Sequence, residues 1–278
     1  MKTEVVQHFK DLFMERHSFG LYYHLPMFFL TISEAELARL LLAVDETKLK
    51  NSLFSIGGLK APRLEGFPSI FFQKFWNVCK GDLMDLVLDC FTKGCVPSLL
   101  NNTLISLIPK IPNPTTLSHF RPISLCNTTY KLISKIRVQR LRGLLPKLVN
   151  PNQVAFVPGR QIQDNIIVAQ QVLNKFRIAK GINGLISWKI DLSKAYDKIQ
   201  WSFIKLVLEE QGIVGDLNNL IMSCVFHNKV ILNGEMTDNF TPKCDIKQGD
   251  PISPYIFVLF MEKLSHIIHQ KLLDGRRG

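Results

Sequence analysis

The chain has 278 residues, 46% of them hydrophobic, and a formal net charge of +11 that comes from 34 lysines and arginines against 23 aspartates and glutamates. This length and composition allow a buried core and one large or two small domains. The positive charge favours a polyanionic partner such as nucleic acid, although a merely soluble basic protein would show the same balance.

Composition also argues against secreted and membrane proteins. The six cysteines contain no C-x-x-C pair and no zinc-like grouping with histidine, so we expect reduced thiols in an intracellular protein. Residues 1–16 mix charged and apolar side chains, unlike a signal peptide. The most apolar runs, 25–32 and 40–44, are much shorter than the roughly 20 residues that a membrane-spanning helix needs. We therefore predict a soluble protein of the nucleus or cytoplasm with no membrane partner.

Residues 1–100 have the pattern of a helical region. Ser33 precedes a helical pattern over 34–44, and Glu36 completes a capping box with it. After a Gly/Pro-rich loop, a second helical run extends over Ile70–Phe91. The aromatic residues of this region are interpreted first as core that packs helices together.

Residues 101–182 begin with a β-like apolar run, Thr103–Ile108, and continue after a Pro/Thr/Ser loop with a helical stretch that ends near Leu145. A further helix is predicted from Ile162. Its apolar side chains recur at helical spacing on one stripe. The stripe consists of Ile166, Ala169, Leu173 and Phe176.

Residues 183–278 begin with an alternating pattern that predicts a β-strand. Ile186, Trp188 and Ile190 fall on one face of this strand, which would pack on helices. Asp191 falls on the other face, which would carry charged groups into a cleft.

Two further patterns follow in this region. Asp197 is interpreted as part of a cap box for the next helix, which explains this acid without a metal. The inward side chains of that helix are Trp201, Ile204 and Leu208. Asn233-Gly234, between apolar runs at 229–232 and 235–240, predicts a hairpin with a type I′ turn.

Asp191 is the residue that the sequence singles out for chemistry. A carboxylate at the end of a strand in an apolar sheet is costly unless it is solvated, paired or bound to metal. Metal-assisted phosphoryl transfer uses such acids to hold Mg²⁺ ions that activate the attacking oxygen and neutralise the leaving one. Taken alone, Asp191 is more simply an ordinary aspartate that ends a strand.

Tyr196 and the Gln248-Gly249 turn supply a context for this acid. An aromatic ring one turn beyond it could form the floor of a sugar pocket and reject a bulky 2′ substituent. A Gln-Gly turn at the start of a helix could approach a base or a phosphate closely, because glycine has no Cβ. As isolated features, the two are more often a core aromatic and a turn glycine.

Three cations, Lys110, Arg121 and Arg160, lie beside prolines in otherwise apolar segments. A stiff backbone can aim such a charge at a triphosphate or at the backbone of a nucleic-acid strand. The alternative is that all three are solvated cations in loops.

Five motifs occur in a fixed order along nearly the whole chain. The motifs are Gly66–Pro68 with Phe72–Trp76, Asn102–Lys110 with Phe120–Leu125, Gln153–Arg160, Asp191–Asp197, and Gln248–Pro254. Together they resemble the reverse transcriptase of plant-type non-LTR (LINE) retrotransposons. The resemblance implies an α+β fold: a helical N-terminal extension over 1–100, right-hand polymerase fingers over 101–182, and a partial palm over 183–278 built on an antiparallel sheet with packed helices.

The resemblance also implies a role for each motif residue. Asp191 would be the catalytic acid that binds Mg²⁺, with the Leu192 carbonyl as a further metal ligand. Tyr196 would be the steric gate that prefers deoxynucleotides, and Arg160 would touch template or nucleotide phosphate. The residues expected to contact the incoming deoxynucleoside triphosphate are Lys110, Arg121, Tyr196, Gln248 and Gly249. The implied macromolecular partners are an RNA template and a DNA primer.

Two features depart from the family pattern. The segment 62–66 replaces the usual Pro-Gly-Pro-Asp-Gly turn, and the aromatic-Ala-Asp-Asp motif is missing, since no two aspartates are adjacent in the chain. We therefore expect a chain truncated before that motif, which is inactive alone because its palm lacks metal-binding acids. The alternatives are a non-catalytic basic nucleic-acid-binding module and a gene fragment that does not fold stably.

Overall fold

The computed structural model describes residues 2–14, 31–59, 66–179, 186–223, 228–232, 235–236 and 243–275. Over these residues the protein is a mixed α+β structure in which helices predominate over a small sheet. The helices are α1 (Lys2–Leu12), α2 (Glu34–Leu41), α3 (Glu46–Phe54), α4 (Ser69–Lys74), α5 (Trp76–Lys93), α6 (Ser98–Asn101), α7 (Thr128–Arg142), α8 (Leu145–Leu148), α9 (Ile162–Ile178), α10 (Ala195–Lys198), α11 (Trp201–Glu210), α12 (Gly215–Ser223) and α13 (Ser253–Gly275).

Local signals in the sequence set the limits of the N-terminal helices. At the start of α2, the Ser33 hydroxyl accepts a hydrogen bond from the Glu36 amide, and the Glu36 carboxylate accepts one from the Ser33 amide at 2.9 Å. The predicted capping box is therefore confirmed. The helical run predicted over Ile70–Phe91 is divided into α4 and α5 at Phe75. Helix α5 ends at Gly94 in the left-handed conformation (φ 62°), which glycine adopts without steric cost.

The strands of the sheet are β1 (Thr103–Pro109), β2 (Phe120–Leu125), β3 (Asn228–Leu232) and β4 (Glu235–Met236). Their order is β2-β1-β3-β4, and β1 runs antiparallel to β2 but parallel to β3. The sheet is therefore mixed, and the expected antiparallel arrangement holds only for the β1–β2 and β3–β4 pairs. The predicted hairpin is confirmed by the pairing of Leu232 with Glu235, whereas Asn233, Gly234 and residues 237–240 lie outside the described residues.

Residues 186–192 do not form the predicted strand. They have no regular secondary structure, and Ile186, Trp188 and Ile190 are 81%, 85% and 60% exposed. A strand needs a neighbouring backbone that satisfies its amide and carbonyl groups. Among the described residues, no strand pairs with this segment. The prediction of a strand whose apolar face packs on helices is wrong here.

The helix predicted from Ile162 forms as α9, but its apolar stripe is not buried. No side chain of α9 is buried, and Ile166 and Leu173 are 52% and 61% exposed. Helical periodicity identifies an apolar face, but it does not supply the element that covers this face. The predicted helix is therefore confirmed, and no residue of its apolar stripe is buried in the described part of the chain.

The apolar core joins distant parts of the sequence. One cluster contains Ile32, Val138 and Ile204, and therefore draws on all three regions predicted from the sequence. In a smaller cluster, Phe9 of α1 and Phe13, which directly follows that helix, pack with Ile105 of β1. As predicted, the buried side chains of α11 include Trp201, Ile204 and Leu208. Packing does not separate the predicted regions, so their boundaries stay a prediction.

A membrane-spanning helix needs about 20 predominantly apolar residues. No helix within the described ranges combines the length and the apolar character needed to cross a membrane.

Candidate functional site

A cavity of about 590 Å³ opens between β2, α7, α10 and the turn that leads into α13. Its volume is within the range of small-ligand sites, about 300–1,000 Å³. Four residues that the sequence predicts to bind a nucleotide come together on its wall, although they are far apart in the chain. They are Arg121, Tyr196, Gln248 and Gly249.

The turn at Gln248 and Gly249 is fixed against β2. The Gln248 carbonyl accepts a hydrogen bond from the Ser124 amide at 2.8 Å. Gly249 has a φ of +108°, and a Cβ at this position would lie 3.1 Å from the Ser124 carbonyl oxygen. A side chain here would be both strained and crowded, so glycine is required where the turn reaches the cavity.

Asp250 connects this turn to α7. Its carboxylate is 5% exposed and accepts hydrogen bonds from the Tyr130 hydroxyl and, at 2.5 Å, from the Ser134 hydroxyl. The Ile252 amide donates to the same carboxylate at 3.3 Å. The sequence reasoning gave Asp250 no role, because both hydroxyl partners lie far away in the chain. The available signal was an acid placed directly before Pro251 in a turn.

Lys247 is a second buried charge in the turn. Its ammonium donates to Asn101 Oδ1 at 2.7 Å and lies 4.7 Å from the centroid of the Tyr130 ring. The residue is 2% exposed, and a buried ammonium is stable only with such partners. Lys247 and Asp250 together fasten the cavity-lining turn to α6 and α7.

Tyr196 lines the cavity and stacks on Phe257 of α13, with ring centroids 4.9 Å apart and an interplanar angle of 22°. Its carbonyl accepts a hydrogen bond from the Ile246 amide at 3.1 Å. Burial raises the pKa of the Tyr196 hydroxyl, so the phenol is neutral at neutral pH. The ring is thus held in a fixed position, which suits a steric gate, and that role stays a prediction.

Asp191 is exposed and is not among the residues that line the cavity. Leu192, whose carbonyl is the predicted second ligand, is 40% exposed. In the part of the chain that the structure describes, no three His, Cys, Asp or Glu side chains converge in a way that could hold a metal ion. Mg²⁺ prefers octahedral oxygen coordination, and one carboxylate with one main-chain carbonyl does not complete such a site.

The other predicted cations, Lys110 and Arg160, make contacts within the protein. The Lys110 ammonium donates to the Ser118 carbonyl at 3.2 Å. The Arg160 guanidinium donates to four carbonyls of the segment that includes α8, and the shortest bonds reach Asn150 and Gln153 at 2.5 and 2.6 Å. Arg160 therefore stabilises this loop. Its contact with nucleic acid stays a prediction.

Asp197 does not have the predicted capping role. It lies in α10, and the cap residue of α11 is Gln200, which makes no side-chain capping hydrogen bond. Asp197 is 7% exposed, and its Oδ1 is buried without a hydrogen-bond partner. Burial raises the pKa of the Asp197 carboxyl. The charges that oppose this rise in pKa belong to Lys194, Lys110 and Lys198.

Asp245 is the second buried acid of this region. Its main chain is held by two hydrogen bonds: its amide donates to Ile199 at 3.0 Å, and its carbonyl accepts from Trp201 Nε1 at 2.9 Å. Its φ is +104°, a backbone conformation that residues other than glycine rarely adopt. Burial raises the pKa of the Asp245 carboxyl well above its ordinary value, and the Asp197 carboxylate raises it further. The positive charge of Lys247 opposes this rise.

Two other cavity residues, Lys135 of α7 and Tyr255 of α13, were missed by the sequence reasoning. Both are half-buried. Lys135 adds a second positive charge to that of Arg121, and Tyr255 adds a second aromatic ring to that of Tyr196. Tyr255 directly follows the motif Gln248–Pro254 and could have been found from that position. Lys135 has no motif to mark it.

Residues 108–275 match the family described as reverse transcriptase (RNA-dependent DNA polymerase), which is more than half of the chain. The chain belongs to the reverse transcriptase family. All of the residues that line the cavity fall within the matched range. The resemblance to a reverse transcriptase that was inferred from the ordered motifs is confirmed, and the match does not favour a non-catalytic binding module.

Two of the similar proteins are named as products of mobile elements. The transposon TX1 uncharacterized 149 kDa protein of Xenopus laevis is 27% identical over 245 residues, which are 87% of this chain and 18% of that protein. The retrovirus-related Pol polyprotein from the type-2 retrotransposable element R2DM of Drosophila melanogaster is 27% identical over 184 residues, which are 66% of this chain and 17% of that protein. The uncharacterized mitochondrial protein AtMg01250 of Arabidopsis thaliana is 40% identical over 53 residues, 19% of this chain and 43% of that protein. This chain therefore spans less than a fifth of the length of the first two relatives.

Proposed function

We propose that the cavity binds the incoming deoxynucleoside triphosphate during RNA-templated extension of a DNA primer. The observation that carries this proposal is the convergence of Arg121, Tyr196, Gln248 and Gly249 on one cavity of suitable volume. The family match supports it. In this proposal the regions are a helical extension over 1–100, polymerase fingers over 101–182 and a partial palm over 183–278.

Charge and shape give each part of the cavity a role. Arg121 and Lys135 supply positive charge for the triphosphate, and a guanidinium can bind two phosphate oxygens at once. Lys110 directly follows β1, the strand paired with that of Arg121, and adds charge at the same end of the hairpin. Tyr196 would limit the space at the sugar 2′ position. Gly249, with no Cβ, lets the nucleotide approach the backbone of the turn.

The first test is the affinity for a fluorescent deoxyadenosine triphosphate. We expect Arg121→Ala to weaken binding about 10- to 100-fold, because a charge-assisted contact contributes about 1.5–3 kcal/mol and each 1.4 kcal/mol is tenfold. The matched control is Arg142→Ala, which removes an exposed arginine from the end of α7. Equal affinities of wild type and Arg121→Ala, or an equal loss in both variants, would contradict the proposed site.

The second test concerns Asp191 and Mg²⁺. When bound, Mg²⁺ neutralises phosphate charge and polarises the reacting oxygens, and such sites are commonly completed by one or two carboxylates, substrate phosphates and water. We infer that Asp191 and the Leu192 carbonyl would be its protein ligands. Mg²⁺ is therefore expected to tighten nucleotide binding by wild type, and Asp191→Asn should remove most of this tightening.

The control for this test is Asp164→Asn, which neutralises an exposed acid in the first turn of α9. The measurement is the ratio of nucleotide affinities with and without Mg²⁺ in each protein. If this ratio is the same in Asp191→Asn as in wild type, Asp191 does not bind the Mg²⁺ that tightens nucleotide binding. RNA-templated primer extension that is present in wild type and absent in Asp191→Ala would extend the proposal from binding to synthesis.

A further inference from the structure

Phe156 has an unusual combination of backbone conformation and exposure. Its φ is +61°, in the left-handed region that residues other than glycine rarely adopt. Its side chain is 52% exposed, although a ring of this size contributes more to stability when it is buried. The neighbouring Val157 is 5% exposed and belongs to the core. Stability alone therefore does not explain why the chain presents this ring to solvent.

The ring of Phe156 is next to the cavity. Its centroid lies 6.1 Å from that of Tyr255, with an interplanar angle of 60°. Tyr255 lines the cavity together with Gln248 and Gly249. The two rings thus form an aromatic surface that begins at the nucleotide site and continues outward from it.

The loop that presents Phe156 is held by hydrogen bonds within the protein. Arg160 holds it through the carbonyls of Asn150 and Gln153, and the Gln153 side chain accepts a hydrogen bond from the Ala155 amide at 3.2 Å. Because these hydrogen bonds hold the backbone that precedes the ring, a ligand that stacks on the ring loses less free energy to ordering of the loop. This arrangement favours recognition of a flat ligand over adaptation to a variable surface.

The charge of the surroundings indicates which flat ligand. Arg121 and Lys135 on the cavity wall are cationic, and the whole chain has a net charge of +11. Exposed aromatic rings interleaved with cations are the usual means of holding single-stranded nucleic acid, since every base has a face that can stack. A neutral apolar protein partner would not require this positive charge.

We propose that Phe156 and Tyr255 form a stacking platform for an unpaired base of the template strand, directly beside the nucleotide site. The proposal rests on the proposed function, because it takes the cavity as the place where the template base meets its nucleotide. The ligand is a base of single-stranded RNA. The net positive charge of the chain favours the phosphates that flank this base.

The test uses the full chain and a single-stranded RNA that contains one 2-aminopurine, whose fluorescence is quenched on stacking. Phe156→Gly removes the ring at a φ that glycine adopts freely, so the thermal midpoint should not fall. Its affinity for the RNA should be about 5- to 100-fold weaker, and the quenching should be lost. Phe156→Trp keeps an aromatic face and should retain both affinity and quenching.

The matched control is Phe75→Ala, because Phe75 is also 52% exposed but lies between α4 and α5. Wild-type RNA affinity in Phe156→Gly, or an equal loss in Phe75→Ala, would overturn the platform. Binding of the fluorescent nucleotide is measured on the same proteins, and Phe156→Gly should leave it unchanged because Phe156 does not line the cavity. Failure of wild type to bind the nucleotide would instead refute the proposed function, so the two failures are distinguishable.

Discussion

Replacement of Asp250 with alanine is expected to lower the free energy of unfolding by about 3 to 5 kcal/mol, since each buried hydroxyl that loses its acceptor costs about 1–3 kcal/mol. The two hydroxyls are those of Tyr130 and Ser134, both on α7. Urea denaturation followed by circular dichroism measures this change. Nucleotide affinity should fall as well, because the same carboxylate fixes the turn that carries Gln248 and Gly249.

Tyr130, whose hydroxyl donates to Asp250, provides a control for the Asp250 variant. In the Asp250→Ala background, Tyr130→Phe removes the hydroxyl that has lost its acceptor, so the double variant Tyr130→Phe/Asp250→Ala should be more stable than the sum of the single losses predicts. Asp250→Asn keeps one acceptor oxygen and should lose less than Asp250→Ala. Strictly additive losses in the double variant would show that the carboxylate does not fasten the turn to α7.

Local patterns in the sequence predicted local structure well. The capping box of Ser33 and Glu36 and the β3–β4 hairpin both form as predicted. These signals depend on residues that are neighbours in the chain. The hydrogen bonds and turn conformations that produce the structure therefore lie within a few residues of each other. The same holds for α11, where the apolar spacing correctly placed its buried face.

Predictions that required a distant partner were less reliable. The alternation at 186–190 identified two faces, but no described strand pairs with it, and the stripe on α9 is exposed for a similar reason. A pattern states which face is apolar; it does not state what covers that face. Burial of Asp250 and Lys247 was missed for the converse reason, because the partners that make burial tolerable lie far away in sequence.

The candidate site was found by the order of motifs and not by periodicity. Arg121, Tyr196 and Gln248 lie on three different elements, and nothing in their local sequence requires them to meet. Their joint appearance in the family order predicted that they would meet, and the cavity brings them together. Lys135 shows the limit of this approach, because it completes the same wall without belonging to any motif.

Replacement of Asp245 with glycine is expected to raise the free energy of unfolding by about 2 to 4 kcal/mol, since backbone strain of this kind costs about 1–3 kcal/mol and a buried carboxyl adds to that cost. The φ of +104° is favourable for glycine and unfavourable for aspartate. Loss of the carboxyl leaves Lys247 with its hydrogen bond to Asn101, so no new buried charge is left without a partner. The midpoint of urea denaturation should increase.

Asp245→Ala separates the free energy of backbone strain from that of burying the carboxyl. It removes the carboxyl but keeps a Cβ at the unfavourable φ, so its gain should be smaller than that of Asp245→Gly. The difference between the two variants is the free energy of backbone strain. A glycine variant that is less stable than wild type would mean that the Asp245 carboxyl stabilises the fold in a way that outweighs its burial.

The pH dependence of stability gives an independent measure of the same acid. Because burial raises the pKa of Asp245 in the folded state, the folded protein keeps a proton that the unfolded chain releases. The stability from this group is therefore present below the ordinary aspartate pKa of about 4 and is lost as pH rises through the raised folded value. The raised pKa of Asp197 acts in the same direction. The lysines that oppose these raised pKa values are Lys247 for Asp245, and Lys194, Lys110 and Lys198 for Asp197.

Asp245→Asn isolates this effect, since it keeps the shape of the side chain and cannot ionise. Denaturation midpoints measured from pH 4 upward should decline less steeply in Asp245→Asn than in wild type, because one of the two protons retained on folding is no longer involved. The slope that remains would come from Asp197, and Asp197→Asn/Asp245→Asn should reduce it again. Equal slopes in wild type and both variants would show that neither carboxyl is held in its protonated form by the fold.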